Sequence, residues 1–139
     1  MTIDPHSQSA LGLGCYVAAV AEALQIPEHA VGFEVCELSS AYFALSVRSP
    51  NFPEHDLMLL WDERYGWSIG VETDPAALPV TLAYLGGDLL PDPESVREFV
   101  EDLVHSRYPG QPDPPRFTER ATLPTRLTRY AVGVTRPPR

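Results

Sequence analysis

Residues 56–72, DLMLLWDERYGWSIGVE, contain two apolar runs separated by a short polar turn. The runs at 57–61 and 67–71 are joined by five residues that include Gly66, a spacing typical of a β-hairpin. The second run alternates large apolar residues with small or polar ones, so its large side chains share one face: Trp67, Ile69 and Val71. The first run is apolar on both faces, which predicts an inner strand of a sheet.

Three further segments with alternating apolar residues predict strands around this hairpin: 31–37, 41–48 and 80–85. The link between the first two is short enough for a second hairpin. Consecutive strands joined by short links form an antiparallel sheet. The sequence therefore predicts a sheet in which each strand lies beside the next one along the chain.

Two amphipathic helices flank the strands. The first begins near Ala10 with Ser9 as its N-cap and ends before Pro27. Its apolar stripe comprises Leu13, Tyr16, Val17, Val20 and Leu24. The second has Asp92 as its N-cap and Pro93 at its first position. Its stripe comprises Val96, Phe99, Val100, Leu103 and Val104. Each helix must bury its stripe, and one face of the sheet offers the place.

The predicted fold is therefore α+β, in α-β-β-β-β-β-α order, with an antiparallel sheet of four to five strands and both helices packed on one face. A flexible N-terminus at 1–9 precedes a single domain at 10–108. A proline- and arginine-rich extension follows at 109–139. Within it, residues 125–134 predict a late edge strand, on this sheet or on another subunit's, with a disordered tail as the alternative.

Charge is distributed unevenly along the chain. The 139 residues carry a formal net charge of −9, and all ten basic residues are arginine. Residues 1–106 have three arginines against seventeen acids, a charge of −14, whereas residues 107–139 have seven against two, a charge of +5. The acidic body disfavours nucleic acid, since phosphate binding needs a basic surface. The basic extension could bind an acidic surface, including the protein's own.

The chain has the features of a cytoplasmic protein. No apolar run approaches the roughly 18–20 residues that span a membrane. The N-terminal residues lack the basic and apolar regions of a signal peptide. In the cytoplasm, Cys15 and Cys36 are expected to be reduced and buried thiols.

Aromatic residues around the central hairpin are candidates for a binding site. Trp61 and Trp67 bracket the turn and could line an aromatic pocket for a small ligand with Tyr42, Tyr65 and Tyr84. The favoured interpretation is a cross-strand contact in the core. A partner surface is expected on the sheet face opposite the helices, which bears Tyr42, Ser46, Ser68 and Glu72.

No pattern of catalytic, cofactor-binding or metal-ligating residues is present in the sequence. The four histidines are scattered along it: His6, His29, His55 and His105. Asp62 and Glu63 at the hairpin turn are expected to be solvated or to accept backbone N–H bonds. Gly86-Gly87-Asp88 lacks the following lysine or serine of a phosphate loop, and a turn with positive φ is expected there.

Three motifs resemble a family of small uncharacterised actinobacterial proteins: YVAAVAEAL, DLMLLWDERYGWSIGVE, and AYLGGDLLPDP followed by a helix. The resemblance runs from about Tyr16 to Val104 and leaves out the tail from Gln111. The family carries a domain-of-unknown-function label, so the resemblance implies no catalytic residue. A looser similarity, of architecture alone, is to type III secretion chaperones, which are dimers that hold extended partner segments.

These observations predict a non-enzymatic cytoplasmic interaction module, adaptor or chaperone-like, that forms a homodimer. It would bind another protein through its open sheet face or its alanine-rich first helix, with no cofactor, nucleic acid or membrane involved. One alternative is a small-molecule-binding protein or enzyme with the aromatic pocket between sheet and helices. A further alternative is an immunity-type inhibitor with an acidic face.

Overall fold

A computed structural model describes residues 7–35, 39–50, 53–72, 80–105, 110–117 and 120–135. The elements follow the predicted order, with one more helix at the end: α1 Gln8–Leu24, β1 Val31–Glu34, β2 Ser40–Ala44, β3 Leu57–Asp62, β4 Gly66–Val71, β5 Val80–Tyr84, α2 Pro93–Val104 and α3 Leu123–Thr135. Short 3-10 turns, Glu28–Ala30 and Arg120–Thr122, precede β1 and α3.

The five strands form one antiparallel sheet in the order β1-β2-β3-β4-β5. Its central hairpin places Trp61 opposite Trp67 and Leu59 opposite Ile69. β3 is therefore an inner strand, as the apolar residues on both of its faces predicted. The α+β class, the antiparallel pairing and the helix-first order are confirmed.

One hydrophobic core joins the inner face of the sheet to all three helices. A row of buried cross-strand neighbours crosses this face: Phe43, Leu59, Ile69 and Ala83. The predicted stripe of α1 is buried at Leu13, Tyr16, Val17 and Val20. The stripe of α2 is buried at Val96, Phe99, Val100 and Leu103. Because each large apolar side chain stabilises the fold by about 1.5–3 kcal/mol when fully buried, these stripes hold the helices to the sheet.

The Tyr16 side chain connects four parts of the fold. Its hydroxyl accepts a hydrogen bond from Trp67 Nε1 at 3.0 Å and donates one to the carbonyl oxygen of Pro91 at 2.5 Å. Its ring meets Tyr130 of α3 edge-on, with centroids 4.9 Å apart. Burial raises the pKa of Tyr16 far above the usual value for tyrosine. The hydroxyl therefore stays protonated and can keep both bonds.

Helix α3 packs closely on α1. A Cβ atom added to Gly12 would lie 1.7 Å from the carbonyl oxygen of Leu127, so the two backbones approach too closely for any larger residue. Beside this contact, Ser9 Oγ donates to the carbonyl oxygen of Pro124 at 2.8 Å and lies 3.1 Å from Thr128 Oγ1. A glycine that weakens an isolated helix therefore permits tight packing in the folded chain.

Helix α3 shows that the edge strand predicted at 125–134 is wrong, as is the disordered alternative for those residues. The prediction rested on alternating residues from Thr128 onward. The same segment also has apolar residues at every fourth position, which is the spacing of a helix. As a helix it buries these residues against α1: Leu123, Leu127 and Ala131. The extension does touch the sheet, since Gln111 exchanges two backbone hydrogen bonds of 2.8 Å with Tyr84.

Several element boundaries differ from the prediction. Helix α1 begins earlier, because Ser7 rather than Ser9 is its N-cap and accepts a hydrogen bond from the backbone N–H of Ala10 at 3.2 Å. Strand β2 ends at Ala44, since Ser46 has a left-handed φ of 56° and forms a bulge. β1 ends at Glu34, and residues 36–38, where the strand and its link were predicted to continue, lie outside the described residues.

Replacing Gly12 by alanine should destabilise the protein. The overpacking against α3 costs about 1–3 kcal/mol, whereas the gain in helix propensity returns at most ~1 kcal/mol. We expect a net loss of about 1–2 kcal/mol in the free energy of unfolding, measured by urea titration with tryptophan fluorescence.

Gly14→Ala is the matched control, because it lies in the same helix. Its Cβ would lie 3.1 Å from the ring tip of Phe33, a half-exposed side chain that can move aside. We expect Gly14→Ala to be neutral or to stabilise by up to ~1 kcal/mol. Stabilisation by Gly12→Ala would contradict the close approach of α1 and α3.

Replacing Tyr16 by phenylalanine should destabilise the protein by about 1–3 kcal/mol, because the buried Trp67 N–H and Pro91 carbonyl lose their shared partner. Tyr130→Phe, which removes a hydroxyl from the neighbouring half-buried ring, should change the free energy of unfolding by less than ~0.5 kcal/mol. Thermal unfolding followed by near-ultraviolet circular dichroism measures both variants. Equal effects would show that the Tyr16 hydroxyl has no special role.

Candidate interaction surface

The predicted partner face of the sheet is only partly exposed. A row of cross-strand neighbours lies on the side away from the core: Tyr42, Leu60, Ser68 and Tyr84. Tyr42 is 40% exposed, whereas Met58 and Ser68 at the centre of this face are each 8% exposed. Glu72 and Ser46 are exposed outside strands β4 and β2. The structure therefore brings Tyr42, Ser68 and Tyr84 together, but the middle of the face is buried.

The two tryptophans lie in the core. Trp61 and Trp67 are each 1% exposed, and the Trp67 ring contacts Tyr16 and Phe43. Trp61 Nε1 donates to the carbonyl oxygen of Leu89 at 2.9 Å. Tyr42 and Tyr84 lie on the opposite face of the sheet, and Tyr65 meets Tyr84 edge-on at 6.2 Å. Because the aromatic residues divide between two faces, they do not converge on one pocket.

The hairpin turn and the glycine pair have local structural roles. Asp62 accepts hydrogen bonds from the backbone N–H groups of Arg64 and Tyr65 at 2.7 and 2.9 Å, as predicted. Glu63 is instead 2% exposed and accepts the backbone N–H of Ser39 at 3.2 Å. Gly86 and Gly87 each have a φ of 71°, which confirms the predicted turn.

Among the described residues, no group of three His, Cys, Asp or Glu side chains is placed so that it could hold a metal ion. His6 and Cys36 lie outside those residues. Cys15 is a free, half-buried thiol on α1. In the part of the chain that the structure describes, no helix is long and apolar enough to cross a membrane.

Apolar side chains are exposed where α1 runs beside β1. Leu11 is 49% and Phe33 is 45% exposed. Two adjoining grooves, of about 460 and 440 Å³, share Gly14, Ala18, Glu22 and Phe33. We call this region the α1–β1 surface, comprising Leu11, Gly14, Cys15, Ala18, Ala19, Glu22, Val31 and Phe33.

The α1–β1 surface includes a sheet edge. The strand order ends at β1, and among the described residues no strand lies beyond it. An edge strand directs every second backbone N–H and C=O away from the sheet, where another strand can bind them. At the other edge, Gln111 occupies the backbone groups of Tyr84. Among the described residues, β5 therefore has a backbone partner on its outer side at Tyr84, and β1 has none.

The charges around the α1–β1 surface are acidic. Glu22 and Glu28 line the groove beside β1 and are both exposed. No arginine or histidine is among the described residues that line the two grooves. This arrangement favours a partner that carries positive charge beside apolar side chains.

The sequence pattern missed the β1 half of this surface. The alternation in 31–37 predicts that Phe33 shares a face with Val31. It does so, but at the edge of the sheet, where the small residues Gly14 and Ala18 of α1 leave its ring uncovered. The one signal in the sequence was the alanine-rich face of α1.

Another groove, of about 380 Å³, lies between the ends of α1 and α2. Its apolar lining comprises Leu24, Ile26, Leu45, Val47, Val100 and Val104. Its polar groups are engaged within the chain, since Arg97 bonds Glu94 and Glu101, and His105 Nδ1 bonds the Glu101 carbonyl oxygen at 2.8 Å. The groove has no aromatic lining and does not match the predicted aromatic pocket.

Comparison with known proteins identifies a family. A model described as a family of unknown function (DUF6292) matches residues 16–102, from within α1 to within α2, which is more than half of the chain. No curated protein and no solved structure matches this sequence. The matched region contains the whole sheet and excludes α3. The chain therefore belongs to DUF6292, a family of unknown function.

Proposed function

We propose that this protein is a non-enzymatic, cytoplasmic interaction module that binds a segment of another protein at the α1–β1 surface. One observation carries the proposal: exposed Leu11 and Phe33 border two adjoining apolar grooves beside a free edge strand. Strand addition at such an edge supplies main-chain hydrogen bonds, and the grooves beside it accept alternate side chains.

The charge of the surface specifies the partner further. A segment in extended conformation would place apolar side chains in the grooves and its lysine or arginine side chains near Glu22 and Glu28. The net charge of −9 attracts such a segment from a distance. The similarity in architecture to type III secretion chaperones also implies that the protein holds an extended partner segment. An actinobacterial origin is inferred only from the three sequence motifs.

A homodimer through the same surface is the second candidate. Two β1 strands can pair as edges, and the small residues Gly14 and Ala18 let two α1 helices approach closely. Antiparallel pairing of β1 with its copy would bring Glu28 and Glu34 of the two chains near each other, so salt should strengthen the dimer. Salt should weaken the binding of a basic partner, which separates the two candidates.

Phe33→Asp should abolish partner binding, whereas Tyr42→Asp should leave it unchanged. The two side chains are similarly exposed, on neighbouring strands, but lie on opposite faces of the sheet. Quantitative capture from a lysate of the native host, with each variant as bait, measures the difference. Proteins bound through the α1–β1 surface should be retained by wild type and Tyr42→Asp, lost with Phe33→Asp, and eluted as salt rises from about 0.05 to about 0.5 M.

The reverse pattern, loss with Tyr42→Asp alone, would assign binding to the outer sheet face and overturn the proposal. Light scattering after size-exclusion chromatography, at tens of micromolar protein, tests the dimer. A dimer that strengthens with salt and is lost in Phe33→Asp would support the second candidate. A strict monomer that captures nothing would exclude both.

A further inference from the structure

Helix α3 is seated on the rest of the chain in the way that a peptide helix is seated in a groove. Its buried stripe comprises Leu123, Leu127 and Ala131. We call the site that receives it the α3 groove, whose walls are Ser9, Gly12 and Tyr16 of α1 and the segment from Asp88 to Pro91. These α1 residues face away from Leu11 and Ala18, so the α3 groove is separate from the α1–β1 surface.

Polar contacts fix the position of the helix in the groove. Arg126 binds Asp88 through two hydrogen bonds of 2.7 Å and the carbonyl oxygen of Leu90 through a third of 3.3 Å. The Arg126 guanidinium also holds the pKa of Asp88 below its usual value. At the start of the helix, the Ser9 hydroxyl binds the carbonyl oxygen of Pro124 at 2.8 Å. The groove thus recognises an arginine and the first turn of a helix as well as an apolar stripe.

The occupant is a weak helix by its own sequence. Residues 123–135, LPTRLTRYAVGVT, include a glycine, three threonines and two valines, all poor helix formers. A helix of this length is marginal in water even with good helix formers. The groove rather than its own propensity holds α3 in place, so a stronger helix with the same contact residues would bind more tightly.

The occupant lies outside the region that the family model matches. The family match ends at residue 102, and α3 follows a spacer that contains Pro112, Pro114 and Pro115. Tyr16, Asp88 and Leu90 of the groove lie inside the matched region. Part of the groove therefore lies inside the matched region, and Ser9, Gly12 and the helix lie outside it.

We propose that the α3 groove is a helix-binding site for a partner protein and that α3 is its built-in competitor. The partner helix has apolar residues at positions i, i+4 and i+8 and an arginine at i+3, the pattern of Leu123, Leu127, Ala131 and Arg126. The site opens when α3 dissociates from it. Because α3 is part of the same chain, its local concentration is high, and only a helix that binds more tightly than α3 can displace it.

A designed peptide tests this proposal with the full chain. The probe is a fluorescein-labelled helix that carries these four contact residues on an alanine, glutamate and lysine background. Arg126→Ala in the chain weakens α3 but leaves the groove intact, so the peptide should bind about tenfold more tightly than to wild type. Fluorescence anisotropy measures the affinity, and near-ultraviolet circular dichroism confirms that each variant remains folded.

A charge reversal provides the matched control. Asp88→Arg should remove binding of the arginine peptide, and a peptide with aspartate at the arginine position should bind this variant instead. The proposal is overturned if the arginine peptide does not bind folded Arg126→Ala. Equal binding of both peptides to Asp88→Arg would show non-specific adsorption and would overturn it too.

Discussion

The arrangement of the helices depends on the two hydrogen bonds of the Tyr16 hydroxyl. The interior of the fold presents an indole N–H from β4 and a carbonyl from the segment before α2, and both need a partner. One phenol satisfies both, because its oxygen accepts while its proton donates. These bonds fix the rotation of α1 about its axis. They thereby set which side of α1 meets α3, at Gly12, and which side stays at the surface, at Leu11 and Ala18.

Most of the sheet and two helices could be predicted, because their signals are local and strongly periodic. The hairpin at 56–72 and the stripe of α2 each permit one interpretation. The tail was different, since two periods overlap there. Alternation from Thr128 suggests a strand, and the four-residue spacing from Leu123 suggests a helix. Only the face of α1 decides between them, by accepting Leu127 against Gly12. That information lies more than a hundred residues away in the sequence.

Of the α1–β1 surface, the sequence predicted the part on α1 but not the part on β1. Alternation tells which residues of a strand share a face, but not how well that face is covered. Phe33 and Ser68 show the consequence. Phe33 follows the pattern of a core residue and is exposed because β1 is an edge strand beside small residues. Ser68 follows the pattern of a surface residue and is buried because β4 lies inside the sheet.

The two sheet edges are protected unequally, which gives the acidic charge of the domain a physical role. At β5 the backbone of Gln111 occupies both backbone groups of Tyr84. At β1 the Phe33 ring is exposed, and the charged side chains that line the adjoining grooves in the described part of the chain are Glu22 and Glu28. Natural edge strands often carry charges that discourage pairing. Charges of one sign discourage only like-charged chains, including further copies of this acidic protein, and admit basic ones. Under the proposed function, this acidic charge would favour basic segments for strand addition at β1.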